Sequence, residues 1–314
     1  MDGQGNSTNL ILVRILLMHV LEVHWRLHGP QNYEPGYLFW TDNDDVPHFA
    51  SLVAKKEISW TIRGPRRCVG SIDSEGRRRK CPEMAVVGPG RRRCATCSLM
   101  DIMDPCIRCD GKDCKATERR LESCNRADYA VYLAVFNDST LKVGVSKEAR
   151  LVTRWVEQGA DFGGVIARVR GGRRARQLEY QLSRRPEVTR QVRGIRKESL
   201  LLGSLEEEKA QSIAQDFLNS VETPEVDSTT DLVNLSSYYK LSELHAEPHR
   251  WNPKGTKLDG LQILGEVVGM KGSLLVTRID ESFSVLNLGI LEGYTIDEDA
   301  RISVVSQTGI LDFS

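Results

Sequence analysis

Alternation marks the first readable element of the chain. From Leu21 onward, Leu21, Val23, Trp25 and Leu27 fall on one side of an extended segment, with Glu22, His24, Arg26 and His28 on the other. A period of two is the pattern of a half-buried strand. Met18 stands just ahead of it and is an alternative start. A Gly29-Pro30 turn, a strand at 37–40, an acidic loop and a strand at 58–62 continue a β-rich segment, 1–62. Residues 63–128 carry little apolar periodicity. At 129 the character changes. Residues 129–136 (YAVYLAVF) are an apolar run of strand length, Asn137, Asp138 and Ser139 make a turn, and 141–145 is a second strand, so the three together read as a hairpin. A helix follows at 147–158, with Leu151, Val152 and Trp155 inward and Gly159 at its stop. A third strand at 165–169 precedes a second helix at 173–185, ended by Pro186. Residues 206–220 are amphipathic, with Ile213, Phe217 and Leu218 apolar, and 221–258 are loop-rich. Short strands separated by glycine return at 262–268, 273–279, 284–288 and 301–305 and read as a small SH3-like or barrel-like β domain, with completion of a sheet with the N-terminal strands as the alternative. The predicted class is α+β in four segments: 1–62, 63–128, 129–220 and 221–314.

The second segment is explained by its cysteines. All eight cysteines of the 314-residue chain lie in it. Cys94/Cys97 and Cys106/Cys109 are two-residue spacings, which let one turn aim two sulfurs at a single tetrahedral ion. Cys68 and Cys81 lie upstream, Cys114 and Cys124 downstream. Eight thiolates make two structural zinc sites. The favoured division is Cys68, Cys81, Cys94 and Cys97 for one and Cys106, Cys109, Cys114 and Cys124 for the other, with an interleaved, cross-braced division as the alternative. A stretch this poor in apolar residues takes its folding free energy from metal. Disulfides would suit a small secreted framework. Here the apolar run at 10–23 is broken by Arg14, His19 and Glu22, and its leader is acidic. That is too polar for a membrane span and a poor signal peptide. The expected compartment is the reducing cytoplasm, with no membrane partner.

The net charge of zero conceals a polarity. Residues 198–314 hold 8 Lys/Arg against 20 Asp/Glu, and residues 1–197 hold 35 against 23. A basic front faces polyanions, here DNA or RNA. Its densest parts are Arg77, Arg78, Arg79 and Lys80, then Arg91, Arg92 and Arg93, and on the later helix Arg173, Arg174 and Arg176. Contacts of this kind to phosphates give affinity without sequence choice.

The hairpin–helix–strand–helix segment carries polar residues in apolar surroundings. Tyr132 lies on its first strand, and Lys142 and Gly144 on its second. Arg150 and Arg154 share a helix face. Glu179 lies among Ala175, Leu178 and Leu182, and a carboxylate on such a face is costly unless paired or metal-bound. This order resembles the GIY-YIG nuclease module. Ala130-Val131-Tyr132 looks like its first motif and Lys142-Val143-Gly144 its second, with alanine and lysine in place of the family's first glycine and second tyrosine. The resemblance implies a phosphodiester-cutting site with Arg150 or Arg154 as the arginine and Glu179 holding Mg²⁺. Over almost the whole chain the sequence is also similar to an uncharacterised prokaryotic family, a domain of unknown function. The residues that carry that likeness are VYLAVF at 131–136, LKVGVS at 141–146, the stretch 154–160, Ala175-Arg176 with Glu179, and the glycines from Gly269 to Gly293.

Three functions follow as expectations: a zinc-containing, Mg²⁺-dependent nuclease; a non-catalytic DNA- or RNA-binding protein, including a tRNA-directed one, that keeps the module as a scaffold; and a zinc-stabilised protein–protein adaptor.

Overall fold

The computed structural model of the chain describes residues 17–28, 32–107, 109–192, 194–251 and 258–298. The turn at 29–30 and the strand expected at 301–305 lie outside them. Four strands come first: β1 (Leu17–Leu27), β2 (Tyr33–Trp40), β3 (His48–Ser51) and β4 (Glu57–Arg63). The cysteine-rich stretch follows as a two-stranded ribbon, β5 (Ser71–Ile72) with β6 (Arg78–Arg79), and three small helices, α1 (Ala95–Met100), α2 (Asp104–Ile107) and α3 (Glu118–Arg126). Then come β7 (Asp128–Val135), β8 (Leu141–Lys147), α4 (Leu151–Gln158), β9 (Phe162–Arg170) and α5 (Gly172–Leu182), in the predicted order of hairpin, helix, strand and helix. After α6 (Gly194–Glu198) and α7 (Glu207–Asn219) the tail forms β10 (Val233–Asn234), α8 (Ser236–Tyr239), β11 (His249–Arg250), β12 (Gln262–Lys271), β13 (Leu274–Ile279), β14 (Ser282–Asn287) and β15 (Thr295–Asp297).

Among the described residues the tail does not close on itself as a barrel. Its strands join those of the N-terminal segment in one nine-stranded sheet, ordered β11-β14-β13-β12-β4-β15-β1-β2-β3. The reason lies in β4. Its alternate residues Ile58, Trp60 and Ile62 are buried. Both its edges are paired, one with β12 and one with β15. In β1 the register slips between Val20 and Glu22, so the alternation read from Leu21 holds only in part. Met18, His19, Val20 and Leu21 are all buried.

A second sheet, ordered β10-β9-β7-β8, has β7 inside it. Both faces of β7 are covered, which is why its sequence is a continuous apolar run. Val131, Leu133 and Val135 pack with Ala175, Leu178 and Leu182 of α5 and Phe217 of α7. Tyr132, Ala134 and Phe136 belong to the other core, with Trp155 of α4 and with Trp25, Tyr37 and Trp60 of the large sheet.

Polar contacts fix the two sheets together. Within the large sheet the Trp25 indole donates to the Gly272 carbonyl at 2.9 Å and fixes the β12–β13 turn. Gly159 ends α4 in the left-handed region at φ +67°, and a Cβ there would come to 3.3 Å from the Gly272 nitrogen. Lys271, on β12, donates to Asp161 at 2.5 Å with both side chains below 10% exposed (7% and 9%). The other Asp161 oxygen accepts from the Asn137 N–H at 2.9 Å. Removing one partner of such a pair leaves a buried charge alone. Asp161→Asn should therefore lower unfolding stability by about 3–5 kcal/mol, read from urea denaturation; a loss under about 1 kcal/mol would show the pair to be solvated.

Candidate functional site

Two regions hold chemistry-bearing side chains. The first is the cysteine module. Cys68, Cys81, Cys94 and Cys97 place their sulfurs within 4.8 Å of one another. Local geometry does much of the gathering. Cys94 caps α1 and accepts from the Cys97 N–H at 3.4 Å. The Cys68 sulfur accepts from the N–H groups of Gly70 at 3.4 Å and Cys94 at 3.3 Å. Burial pushes the Cys68 and Cys97 thiols up. At Cys81 burial also opposes ionisation, but the N–H groups of Ala85 and Glu83 hold it below the ordinary value. Four sulfurs at this spacing suit a zinc ion, whose tetrahedral Zn–S bonds of about 2.3 Å put sulfurs roughly 3.8 Å apart.

Cys106, Cys109, Cys114 and Cys124 do not make a second such group among the described residues. Cys124 and the loop after Cys109 lie beside the start of α5. Cys124 accepts from the Tyr129 hydroxyl at 3.6 Å, and Cys109 from the Gly111 N–H at 3.4 Å. Two of the arginines expected to meet nucleic acid hold this loop. Arg173 donates to the Gly111 and Lys112 carbonyls and Arg176 to that of Cys109. Arg174 pairs with Glu225.

The basic runs of the first cysteine module are similarly engaged. Arg77 and Arg79 share Asp73, and Arg78 pairs with Glu22. Arg92 bonds Glu292 at 2.7 Å, Arg93 bonds the buried Asp101 at 2.7 Å, and Lys80 donates to the Thr41 carbonyl. Arg91 is exposed.

The second region is built on β7, β8, α4 and α5. Tyr132 stands opposite Gly144 across the β7–β8 ladder. A Cβ at Gly144 would lie 2.4 Å from the Tyr132 ring, so only glycine leaves the ring its place. Arg154 and Gln158 are four residues apart, on one face of α4. Gln158 joins three groups. Its side-chain amide donates to the Tyr132 hydroxyl, its side-chain oxygen accepts from Lys142 at 2.8 Å, and its carbonyl accepts from Lys197 of α6. Trp155 backs Tyr132 edge-on, with ring centroids 6.0 Å apart.

Electrostatics binds in the remaining members. Burial, and then Arg154, push the Lys142 ammonium below its ordinary value, while Glu179 opposes them. Lys197 is pushed down to about 8 by burial and by Lys142, Lys271 and Arg154. Burial raises the Glu179 carboxyl against the pull of Arg176 and Lys142. Burial raises Tyr132, with Arg154 and Gln158 opposing. Thus Tyr132, Lys142, Arg154 and Glu179 share one electrostatic neighbourhood. Arg150 does not share it. It pairs with Glu157 at 2.8 Å, and its side chain is 61% exposed. Gln158 and Lys197 escaped sequence reasoning. Gln158 could have been found from its spacing to Arg154; Lys197 carried no signal beyond membership of a basic stretch.

A family model matches residues 55–296. The chain belongs to that family, Protein of unknown function (DUF2797). The DUF2797 span takes in all eight cysteines, the second region and the tail strands through β15, and leaves β1–β3 outside. No curated protein and no solved structure matches the chain. Among the described residues, no helix is long and apolar enough to cross a membrane.

Metal analysis of this DUF2797 protein should return at least about one zinc per chain, and Cys97→Ser should remove it and expose residues 64–103 to protease. Zinc content unaffected by that substitution would overturn the assignment. A second outcome concerns Glu179. Its carboxyl holds its proton more tightly folded than unfolded, so its contribution to stability is complete below the ordinary carboxylate value. That contribution is lost as pH rises through the raised folded value. At neutral pH the charge is a cost. Glu179→Gln should raise the melting temperature at pH 7.5, with the gain shrinking toward pH 5; equal melting at every pH would show the carboxylate to be fully hydrated.

Proposed function

We propose that this DUF2797 protein is a zinc-containing, nucleic-acid-directed phosphodiesterase whose site is the Tyr132–Lys142–Arg154–Glu179 group. The unit that carries it resembles the GIY-YIG nuclease module in element order. The supporting observation is the convergence of these four residues, from a hairpin and two helices, around Gln158.

Hydrolysis of a phosphodiester needs an oriented water, neutralisation of charge at phosphorus and help for the leaving oxygen. Arg154, half exposed at the rim, donates to the phosphoryl oxygens. Lys142 adds a point charge where the module's second tyrosine would stand. The Tyr132 hydroxyl, fixed by Gln158, orients the water. The Glu179 carboxylate makes no hydrogen bond or ion pair among the described residues and has lone pairs to offer a cation. A lone carboxylate beside several cations suits Mg²⁺ that arrives with a phosphate; bound there, it would stabilise charge on the leaving oxygen. Cys106, Cys109, Cys114 and Cys124 complete the reading as a second zinc site, steadying α5.

A non-catalytic nucleic-acid-binding role is the second reading. It is favoured by the burial of Tyr132, which is 1% exposed. Incubation of the zinc-loaded protein with labelled DNA and RNA and Mg²⁺ separates the two. Glu179→Ala and Arg154→Ala should each slow cleavage on the order of 100-fold. Binding without cleavage by the wild type, or cleavage equal in both variants, would leave only the second reading.

A further inference from the structure

Two of the most buried cations of this protein have a carboxylate. Lys271 has Asp161, and Arg93 has Asp101. Lys142 and Lys197 differ. Neither makes an ion pair among the described residues, and each donates to an oxygen of the same Gln158, one on its side chain and one on its backbone. An ammonium carries three donors, so each has bonding capacity left over. Arg154 is close enough to disfavour the charge of both. Glu179 is the carboxylate whose field reaches Lys142, and it stays outside ion-pair distance. Two ammonium groups without a carboxylate partner therefore share one glutamine, beside Arg154, whose half-exposed guanidinium pairs with Glu157 at 3.5 Å. Such a surplus is costly in a half-buried place.

Lys197 is held there by design of the loop that bears it. Asn137, at the β7–β8 turn, donates to the Leu200 carbonyl at 3.3 Å and to that of Gly203. Asp138 pairs with Arg196. The Lys197 ammonium lies 5.7 Å from the centre of the Phe136 ring. The segment after α5 is thus fastened over the hairpin, and its lysine is turned to Gln158.

We propose that Lys197 is a substrate-contacting residue and that Lys142, Arg154 and Lys197 form a seat for a phosphate group of a nucleic-acid strand. Ammonium groups from two elements and a guanidinium fork from a third suit a tetrahedral oxyanion with several acceptors better than a planar carboxylate. Assigning that phosphate to a strand rests on the phosphodiesterase reading; the seat itself does not.

The test titrates inorganic phosphate, and separately a short oligonucleotide without Mg²⁺, into the zinc-loaded full chain at low salt, followed by calorimetry. Lys197→Met should weaken both by about tenfold or more, the loss of one charged hydrogen bond. Lys197→Arg should restore binding to within a few-fold. In phosphate-free buffer Lys197→Met should melt no lower than wild type, because an unbalanced ammonium has gone. Wild-type protein that binds neither probe, or Lys197→Met that binds both as wild type does, overturns the seat. So does a lower melting temperature with unchanged affinity. Phosphate held through Lys197 while the oligonucleotide is ignored overturns the strand. Strand cleavage that needs Glu179 but not Lys197 would sink the seat and leave the phosphodiesterase reading standing; the reverse pattern would do the opposite.

Discussion

Burial of β7 on both faces is the constraint on which the rest depends. Residues from Ala130 to Phe136 are all almost wholly enclosed. Each large apolar side chain so buried contributes about 1.5–3 kcal/mol. One face needs α5 and α7, and the other needs α4 and the nine-stranded sheet. Remove either cover and a strand with almost no polar residues would meet water. The same enclosure sets the electrostatics, because every ionisable group brought to this strand loses part of its hydration.

That loss explains why the polar cluster is arranged around an amide. A glutamine side chain both donates and accepts, so the Gln158 amide can serve a phenol and the Lys142 ammonium at once, while its backbone carbonyl takes the Lys197 ammonium. A glutamate there would have paired off the lysines. With an amide instead, the cations keep their charge deficit and Glu179 keeps its lone pairs. The buried Lys271–Asp161 pair nearby shows the contrasting arrangement, in which charge is cancelled and the two sheets are joined.

The arginines changed meaning between chain and fold. Charge runs around the first cysteine module read as a phosphate-facing surface, yet Arg77, Arg78, Arg79, Arg92 and Arg93 all reach carboxylates. Several of those carboxylates are remote in sequence, as with Glu22 for Arg78 and Glu292 for Arg92. Arg173 and Arg176 clamp backbone carbonyls of the loop after Cys109. Acidic groups of the tail therefore balance basic groups of the front, and the polarity between the halves is partly internal.

Local chemistry was legible without any fold. The two-residue cysteine spacings, the apolar run of β7, the glycine stop of α4 and the order hairpin, helix, strand, helix all follow from short-range preferences that act within a few residues. The grouping of Cys68 and Cys81 with Cys94 and Cys97 was the favoured division but stood beside an interleaved one, and only the fold, which brings these four sulfurs within 4.8 Å, decided between them. Contacts between distant segments were not legible. The merger of N-terminal and C-terminal strands into one sheet and the arrival of Lys197 at Gln158 join segments tens to hundreds of residues apart. Such pairings are chosen by which surfaces can bury one another once the chain has collapsed, and no residue carries that information in its own neighbourhood.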